Sequence, residues 1–254
     1  RMKLREVIGS RAEDLRLHTF HSFAASVIAE FPDHFPRLRL SEQLTETEAE
    51  KIIRQLLQDK KFRLLRPAGD PEYYVGKIVS AISEVKREAY TPDSLQSFAK
   101  QDIDRVKNDP DSISTRGESK GKLKADALKR VEKAEKTVLL SELFQRYEEE
   151  KRTLHKIDFD DLISDLTTAL EADELLLRLI QEKFLYILVD EHQDTNDSQN
   201  RIIKLIADFF DTPNVFIVGD EKQAIYRFQG ASVENFLRFK KLWPTMELIQ
   251  LSDN

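Results

Sequence analysis

Leu185-Tyr186-Ile187-Leu188-Val189-Asp190-Glu191-His192-Gln193-Asp194 is an apolar run that stops on two adjacent carboxylates. A continuous apolar run of this kind predicts a strand covered on both faces in a parallel sheet. In open α/β sheets, ligands gather at the carboxyl ends of strands. An aspartate placed there can hold a divalent cation, and a neighbouring glutamate can polarise an attacking water. An Asp-Glu pair could also serve only the dipole of a following helix. That reading does not account for Gln193 and Asp194, nor for a second apolar strand, Val215 to Val218, that ends in Gly219-Asp220.

Outward from this strand the pattern alternates. A helix carrying Ile202, Ile203, Leu205 and Ile206 comes before the second strand. Another helix is expected over Val233 to Leu242 and a short strand over Leu248 to Leu251. Upstream, from Ser41 to Lys156, the texture is charged, amphipathic and helical, with almost no strand signal. Thr47 with Glu50 reads as a capping box ahead of Ile52, Ile53, Leu56 and Leu57. Further helices follow Pro71 and Thr91-Pro92, and Lys107 to Lys122 is a polar loop. Leu123 to Tyr147 reads as one long helix with Leu128, Val131, Val138, Leu139 and Leu143 on its apolar side. At the start of the chain, a helix tail is closed by Gly9. Leu15 to Phe20 alternates as a short strand would, and His21 to Phe31 has helical spacing until Pro32 and Pro36. The expected fold is α/β. Residues 1–40 and 157–254 form two parts of one domain built on a parallel sheet, and 41–156 form an all-helical insertion.

Composition narrows the function classes. Of 254 residues, 40% are hydrophobic and 34% charged, a soluble globular balance. The absence of cysteine excludes disulfides, thiolate metal sites and a cysteine nucleophile. The five histidines have no paired ligand spacing, which argues against zinc. The apolar stretches are short and broken by charge, so no membrane partner is expected. No cationic-then-apolar leader opens the sequence, so the expected location is cytoplasmic. The net charge of −6 argues only weakly against a nucleic-acid partner, because a local basic groove suffices for binding. Lys120, Lys122, Lys124, Lys129 and Arg130 read first as a solvated face, with duplex contact as the alternative. Asp158, Asp160 and Asp161 read as a solvated helix start, with a two-metal nuclease as the alternative.

After Gly219-Asp220 the chain continues Glu221-Lys222-Gln223-Ala224-Ile225-Tyr226-Arg227-Phe228-Gln229-Gly230-Ala231. A glutamine just past a strand end can bond a terminal phosphate. Tyr226 and Phe228 can stack on bases or pack together in a core. Phe184 to Gln199 and Val215 to Ala231 resemble motifs II and III of superfamily 1 DNA helicases of the UvrD/Rep type. Thr19-Phe20-His21-Ser22-Phe23 resembles their element that contacts single strands. Arg1 to Gly9 fits the helix after motif Ia, and Leu251 to Asn254 fits the approach to motif IV.

The resemblance implies a RecA-like parallel sheet of the P-loop NTPase type, with the insertion as its subdomain 1B. It implies ATP and Mg2+ as cofactors, with Asp190 the magnesium ligand and Glu191 the general base. Gln193, Asp194, Gly219 and Asp220 would couple this site to the DNA track, and Gln223 would sense the γ-phosphate. Thr19, Phe20, His21, Tyr226, Arg227 and Phe228 would meet DNA. Implied partners are single-stranded DNA, single-strand/duplex junctions, and repair or recombination proteins, at the nucleoid. The sequence departs from the family pattern at His192, expected to alter packing, and at Gln229 and Glu221-Lys222.

A phosphate-cradling loop needs G-x-x-x-x-G-K-[ST]. Gly117-Glu118-Ser119-Lys120-Gly121-Lys122-Leu123 has one spacer too few, and Leu123 has no hydroxyl, so it reads as a decoy. The resemblance places the true loop upstream of Arg1 and the motif IV arginine after Asn254. The sequence therefore reads as the core of a longer motor that is inactive alone. The alternatives are a helicase-like scaffold without hydrolysis, or the helicase part of a helicase-nuclease.

Overall fold

The computed structural model describes residues 2–13, 15–66, 69–70, 72–115, 120–220, 239–247 and 249. Helices dominate, and four of them start by the same device. Thr19, Thr45, Thr91 and Asn196 each accept the amide of the third helical residue, while that residue's side chain returns to the cap backbone. Each such box satisfies two N–H groups that a helix start otherwise leaves open.

In chain order the helices are α1 Met2–Ile8, α2 Phe20–Glu30, α3 Pro36–Arg39, α4 Glu46–Leu56, α5 Val75–Arg87 and α6 Pro92–Asn108. They continue as α7 Ala125–Thr153, α8 Asp161–Ala172, α9 Glu174–Lys183 and α10 Asp197–Ala207. The strands are β1 Glu42–Gln43, β2 Lys156–Ile157, β3 Ile187–Val189 and β4 Val215–Ile217. They form two parallel pairs, β1 with β2 and β3 with β4. The chain is thus an α/β protein of mostly helices with small parallel sheets. Among the described residues no helix is long and apolar enough to cross a membrane.

Two main cores organise the helices. In the first, Ile52, Ile53 and Leu57 meet Phe62, Ile78, Ile82, Leu143 and Phe144, so that α4, α5 and α7 pack on one another. In the second, Ala24 and Val27 of α2 meet Leu166 and Leu170 of α8, Leu176 and Ile180 of α9, and Ile202 and Ile206 of α10. A smaller cluster of Val106, Ala127 and Val131 joins α6 to α7.

Several expectations are corrected. Leu15 to Phe20 is no strand: Thr19 is extended only as a helix cap and Phe20 already lies in α2. Leu15 and Leu17 are exposed, so the alternation has no sheet face to bury. The capping box before α4 uses Thr45 and Glu48, two residues earlier than Thr47 and Glu50, which lets Ala49, Ile52 and Ile53 turn inward together. On α7, Val131 and Leu143 are buried but Leu128 is exposed. The β1–β2 pair, too short to leave a sequence signal, was not expected.

The strand that opened the reading is also covered on one face rather than two. Ile187 and Val189 pack with Ile203, Val215, Ile217 and Phe239, whereas Leu188 is 73% and Phe216 58% exposed. Side chains alternate across a strand, and apolar character on both faces hid which face the helices cover. Of the helix expected over Val233 to Leu242, only 239–242 are described, and these are helical. The strand expected over Leu248 to Leu251 lies outside the described residues, apart from Ile249, which is not in a strand.

Candidate functional site at the end of β3

The ladder between β3 and β4 continues one step past the strands. Val218 N–H donates to the Val189 carbonyl at 2.8 Å, and His192 N–H donates to the Val218 carbonyl at 3.0 Å. Between those two bonds the chain must turn sharply. It does so at Glu191, in the left-handed region with φ 50° and ψ 43°, while Asp190 Oδ1 accepts the Glu191 amide at 3.0 Å. Asp190, Glu191 and Asp194 are all exposed.

Gln193 fixes the geometry of this turn. Its Nε2 donates to Glu191 Oε2 at 2.5 Å, and its Oε1 accepts the Asp220 backbone amide at 2.9 Å. One buried amide therefore ties the Asp-Glu pair of one strand end to the Gly-Asp turn of the next. Gly219 makes the approach possible: a Cβ there would lie 2.8 Å from Gln193 Oε1 and 3.3 Å from the amides of His192 and Gln193. Magnesium takes one or two carboxylates and completes its shell with water and phosphate oxygens. An exposed strand-end carboxylate such as Asp190 fits that donor pattern.

Other expected residues fall differently. Thr19 is the exposed cap of α2. Phe20 is half-buried and packs against both the α2–α8 core and the β3 cluster. His21 lies flat on Phe159, with ring centroids 3.8 Å apart. Gln223, Tyr226, Arg227 and Phe228 lie outside the described residues. His192 is fully buried, edge-on to Phe239, with Nε2 3.1 Å from Asn200 Oδ1. Burial holds its imidazole below the usual pKa, against the opposing effect of the Asn200 bond.

Asp158, Asp160 and Asp161 are neither a solvated helix start nor a metal cluster. Carboxylate oxygens of Glu148, Asp158 and Asp161 do lie within 4.8 Å of one another. Two buried ammonium groups stand among them. Lys86 Nζ is 2.5 Å from Asp161 and 2.6 Å from Asp158; Lys151 Nζ is 2.6 Å from Asp158 and 2.8 Å from both Asp161 and Glu148. Arg37 reaches Asp161 at 3.2 Å and Asp165 at 2.8 Å. Burial would raise the Asp161 carboxyl, but Lys86 and Lys151 outweigh it and hold it well below the usual range. Asp160 turns to Ser83 and to Arg87 at 3.2 Å.

Sequence reasoning missed this hub. Its trace is Lys86 continuing the buried series Val75, Ile78 and Ile82 of α5, where an apolar residue would be expected. The hub also reaches the strand-end site. Asn196 caps α10 directly after the Asp190–Asp194 turn, and Ser198 Oγ in that first turn donates to the Lys86 carbonyl at 2.7 Å.

Fold and site together define an α/β protein with a carboxylate pair at one parallel strand end, bridged by a glutamine to the turn after its neighbour. The UvrD/REP helicase N-terminal domain profile matches residues 1–244, and the chain belongs to that family. An ATP-dependent DNA helicase PcrA of Staphylococcus epidermidis is 27% identical over 252 residues, covering 99% of this chain and 29% of that protein. A second, from Staphylococcus aureus, is 28% identical over 257 residues with the same two coverages. The chain therefore spans less than a third of the length of these relatives.

Proposed function

We propose that the full-length protein carrying this chain is an ATP-dependent DNA helicase. It would couple hydrolysis to movement along single-stranded DNA and to unwinding at duplex junctions, in concert with repair or recombination proteins in the cytoplasm. The observation that carries the reading is the Gln193 bridge between Glu191 and Asp220, because a motor must link its water-activating group to the element that contacts its track.

In this reading residues 1–40 and 157–254 build a RecA-like motor domain and 41–156 an inserted subdomain. The parallel pairing of Glu42–Gln43 with Lys156–Ile157, which brings the two ends of that insertion together, supports the division. Asp190 would hold magnesium, whose positive charge would offset the negative charge on the phosphates of ATP. Glu191 accepts the proton of the attacking water. Gln193 orients Glu191 and, with Asp194 and Gly219-Asp220, reports to the following segment. There Gln223 meets the terminal phosphate, and Tyr226, Arg227 and Phe228 meet DNA opposite Thr19, Phe20 and His21.

The test is ATP turnover by the full-length protein with and without an oligo-dT strand. Stimulated turnover is expected, with Glu191→Gln keeping nucleotide binding and losing hydrolysis. Wild-type turnover in that variant would sink the role of Glu191, and no nucleotide binding by the parent would favour a scaffold instead. The 254-residue chain alone is expected to show no appreciable turnover.

A further inference from the structure

The first core does not close at its outer edge. Ile78 and Ala81 of α5, Leu140 of α7 and Leu65 of the short segment Lys60–Leu65 leave an open groove of about 270 Å³ between them. A cavity of about 150 Å³ takes a benzene ring, so the groove has room for one or two large apolar side chains. Its floor is fixed, because Ile78 belongs to the buried core and Leu65 and Leu140 pack against it. An occupant would not have to order that floor on binding.

The rim is cationic. Lys77 stands on the α5 side and Lys133 and Lys136 on the α7 side, and among the described residues no carboxylate lines the groove. Lys77 Nζ donates to the Tyr73 hydroxyl at 2.9 Å, and Lys136 meets Glu132 at 2.9 Å, four residues earlier on the same helix. Exposed pairs of this kind contribute little and exchange readily. Lysines beside an apolar stripe ordinarily cover it with their stems. Here they leave Leu64 and Tyr74 of the groove exposed.

An aliphatic floor inside a ring of ammonium groups suits an apolar side chain flanked by carboxylates. A nucleic-acid backbone would match the ring through its phosphates, but the floor would give it nothing. The chain as a whole has a net charge of −6, so this attraction for acidic groups is local to the groove. We propose that the groove docks an acidic peptide segment of a partner protein. An apolar side chain of that segment rests on Ile78, Ala81 and Leu140, and its carboxylates meet Lys77, Lys133 and Lys136. The proposal goes beyond the motor function and does not depend on it, since the surface lies wholly on α5, α7 and the Lys60–Leu65 segment.

The probe is a fluorescein-labelled peptide, Asp-Asp-Glu-Leu-Phe-Glu-Asp-Asp, titrated with the full-length protein and read by anisotropy. Saturable binding that weakens as salt rises is expected. A peptide with Ser-Ser in place of Leu-Phe, and one with amides in place of the carboxylates, are each expected to bind about tenfold more weakly or worse. Lys133→Glu combined with Lys136→Glu should weaken binding of the original peptide about tenfold or more. Thr137→Phe fills the groove from its α7 side, keeps all three lysines, and should weaken binding as much. Parent-like melting temperatures show that these variants fold, and the charge-reversed one, changed only at exposed positions, decides if Thr137→Phe does not. No saturable binding by the parent overturns the docking site, and so does equal binding of the serine peptide. Displacement of the peptide by a DNA duplex, with charge reversal harmful and Thr137→Phe harmless, assigns the lysines to nucleic acid and overturns it as well. Self-association of the parent that Thr137→Phe removes makes a second copy the occupant, which also overturns it.

Discussion

Glu191 adopts φ 50° and ψ 43°, a backbone state that side-chain-bearing residues rarely occupy, at the point where the chain leaves β3. Such a conformation costs about 1–3 kcal/mol and persists only where its surroundings over-determine it. The surroundings here are the His192–Val218 backbone bond and the Gln193 bridge. Gly219 is the residue on which that bridge depends, because a methyl group there would drive Gln193 Oε1 away from the Asp220 amide. The oxygen could swing aside, but the amides of His192 and Gln193 behind it could not. Gly219→Ala is therefore expected to cost about 1–2 kcal/mol, from overpacking and a lost hydrogen bond. It should also reduce DNA-stimulated turnover of the full-length protein more than nucleotide binding. Thermal melts and steady-state kinetics read the two effects, and a variant matching the parent in both would show that the bridge does not control the turn.

At the scale of elements, the C-terminal end of α5 is where the helical region meets the segment that follows it. Ser83, Lys86 and Arg87 hold the start of α8, and Ser198 of α10 holds the Lys86 carbonyl. Removing one partner of a buried ionic cluster leaves uncompensated charge, typically at about 3–5 kcal/mol. Lys86→Met is expected to lose that much in denaturant unfolding, and Asp161→Asn added to it should recover part of the loss. Additive losses in the double variant would mean that the two groups do not interact. Little of this joint could be read from the sequence. The amphipathic helices were legible because their apolar stripes repeat over many residues, and β3 was legible as a strand that ends in carboxylates. Its covered face was not, since Leu185 to Val189 is apolar on both sides and only packing distinguishes Ile187 from Leu188. Nor was the partner of Asp158 to Asp161, because Lys86 lies far from them in sequence and its place on the apolar stripe of α5 does not say which carboxylates it meets. The Gln193 bridge was legible only through the family likeness, for spacing alone says nothing of where a glutamine amide points.

At the scale of the whole molecule, one carboxyl of the hub makes stability depend on pH in a direction opposite to the common one. Three cations, Lys86, Lys151 and Arg37, face four carboxylates, Glu148, Asp158, Asp161 and Asp165, so one negative charge is in excess. The excess falls on Asp165, whose carboxyl is pushed up to about 6 by burial, against the attraction of Arg37 and with the help of Asp161. Its protonated form is therefore favoured by folding. Between its ordinary value of 3.8 and about 6, the folded chain binds a proton that the unfolded chain does not. Stability from this group thus falls as pH rises through that window, by about 3 kcal/mol in total, and stays low above it. Asp161, held well below the usual range, acts the other way and loses its contribution only at pH below 3.8. Asp165→Asn imitates the neutral carboxyl at every pH. Relative to the parent, its melting temperature is expected to be more favourable at pH 8 than at pH 5, where the parent carboxyl is already protonated in the fold. Melting both proteins across that range isolates the one group, and a difference that stays constant with pH would show that Asp165 carries no excess charge.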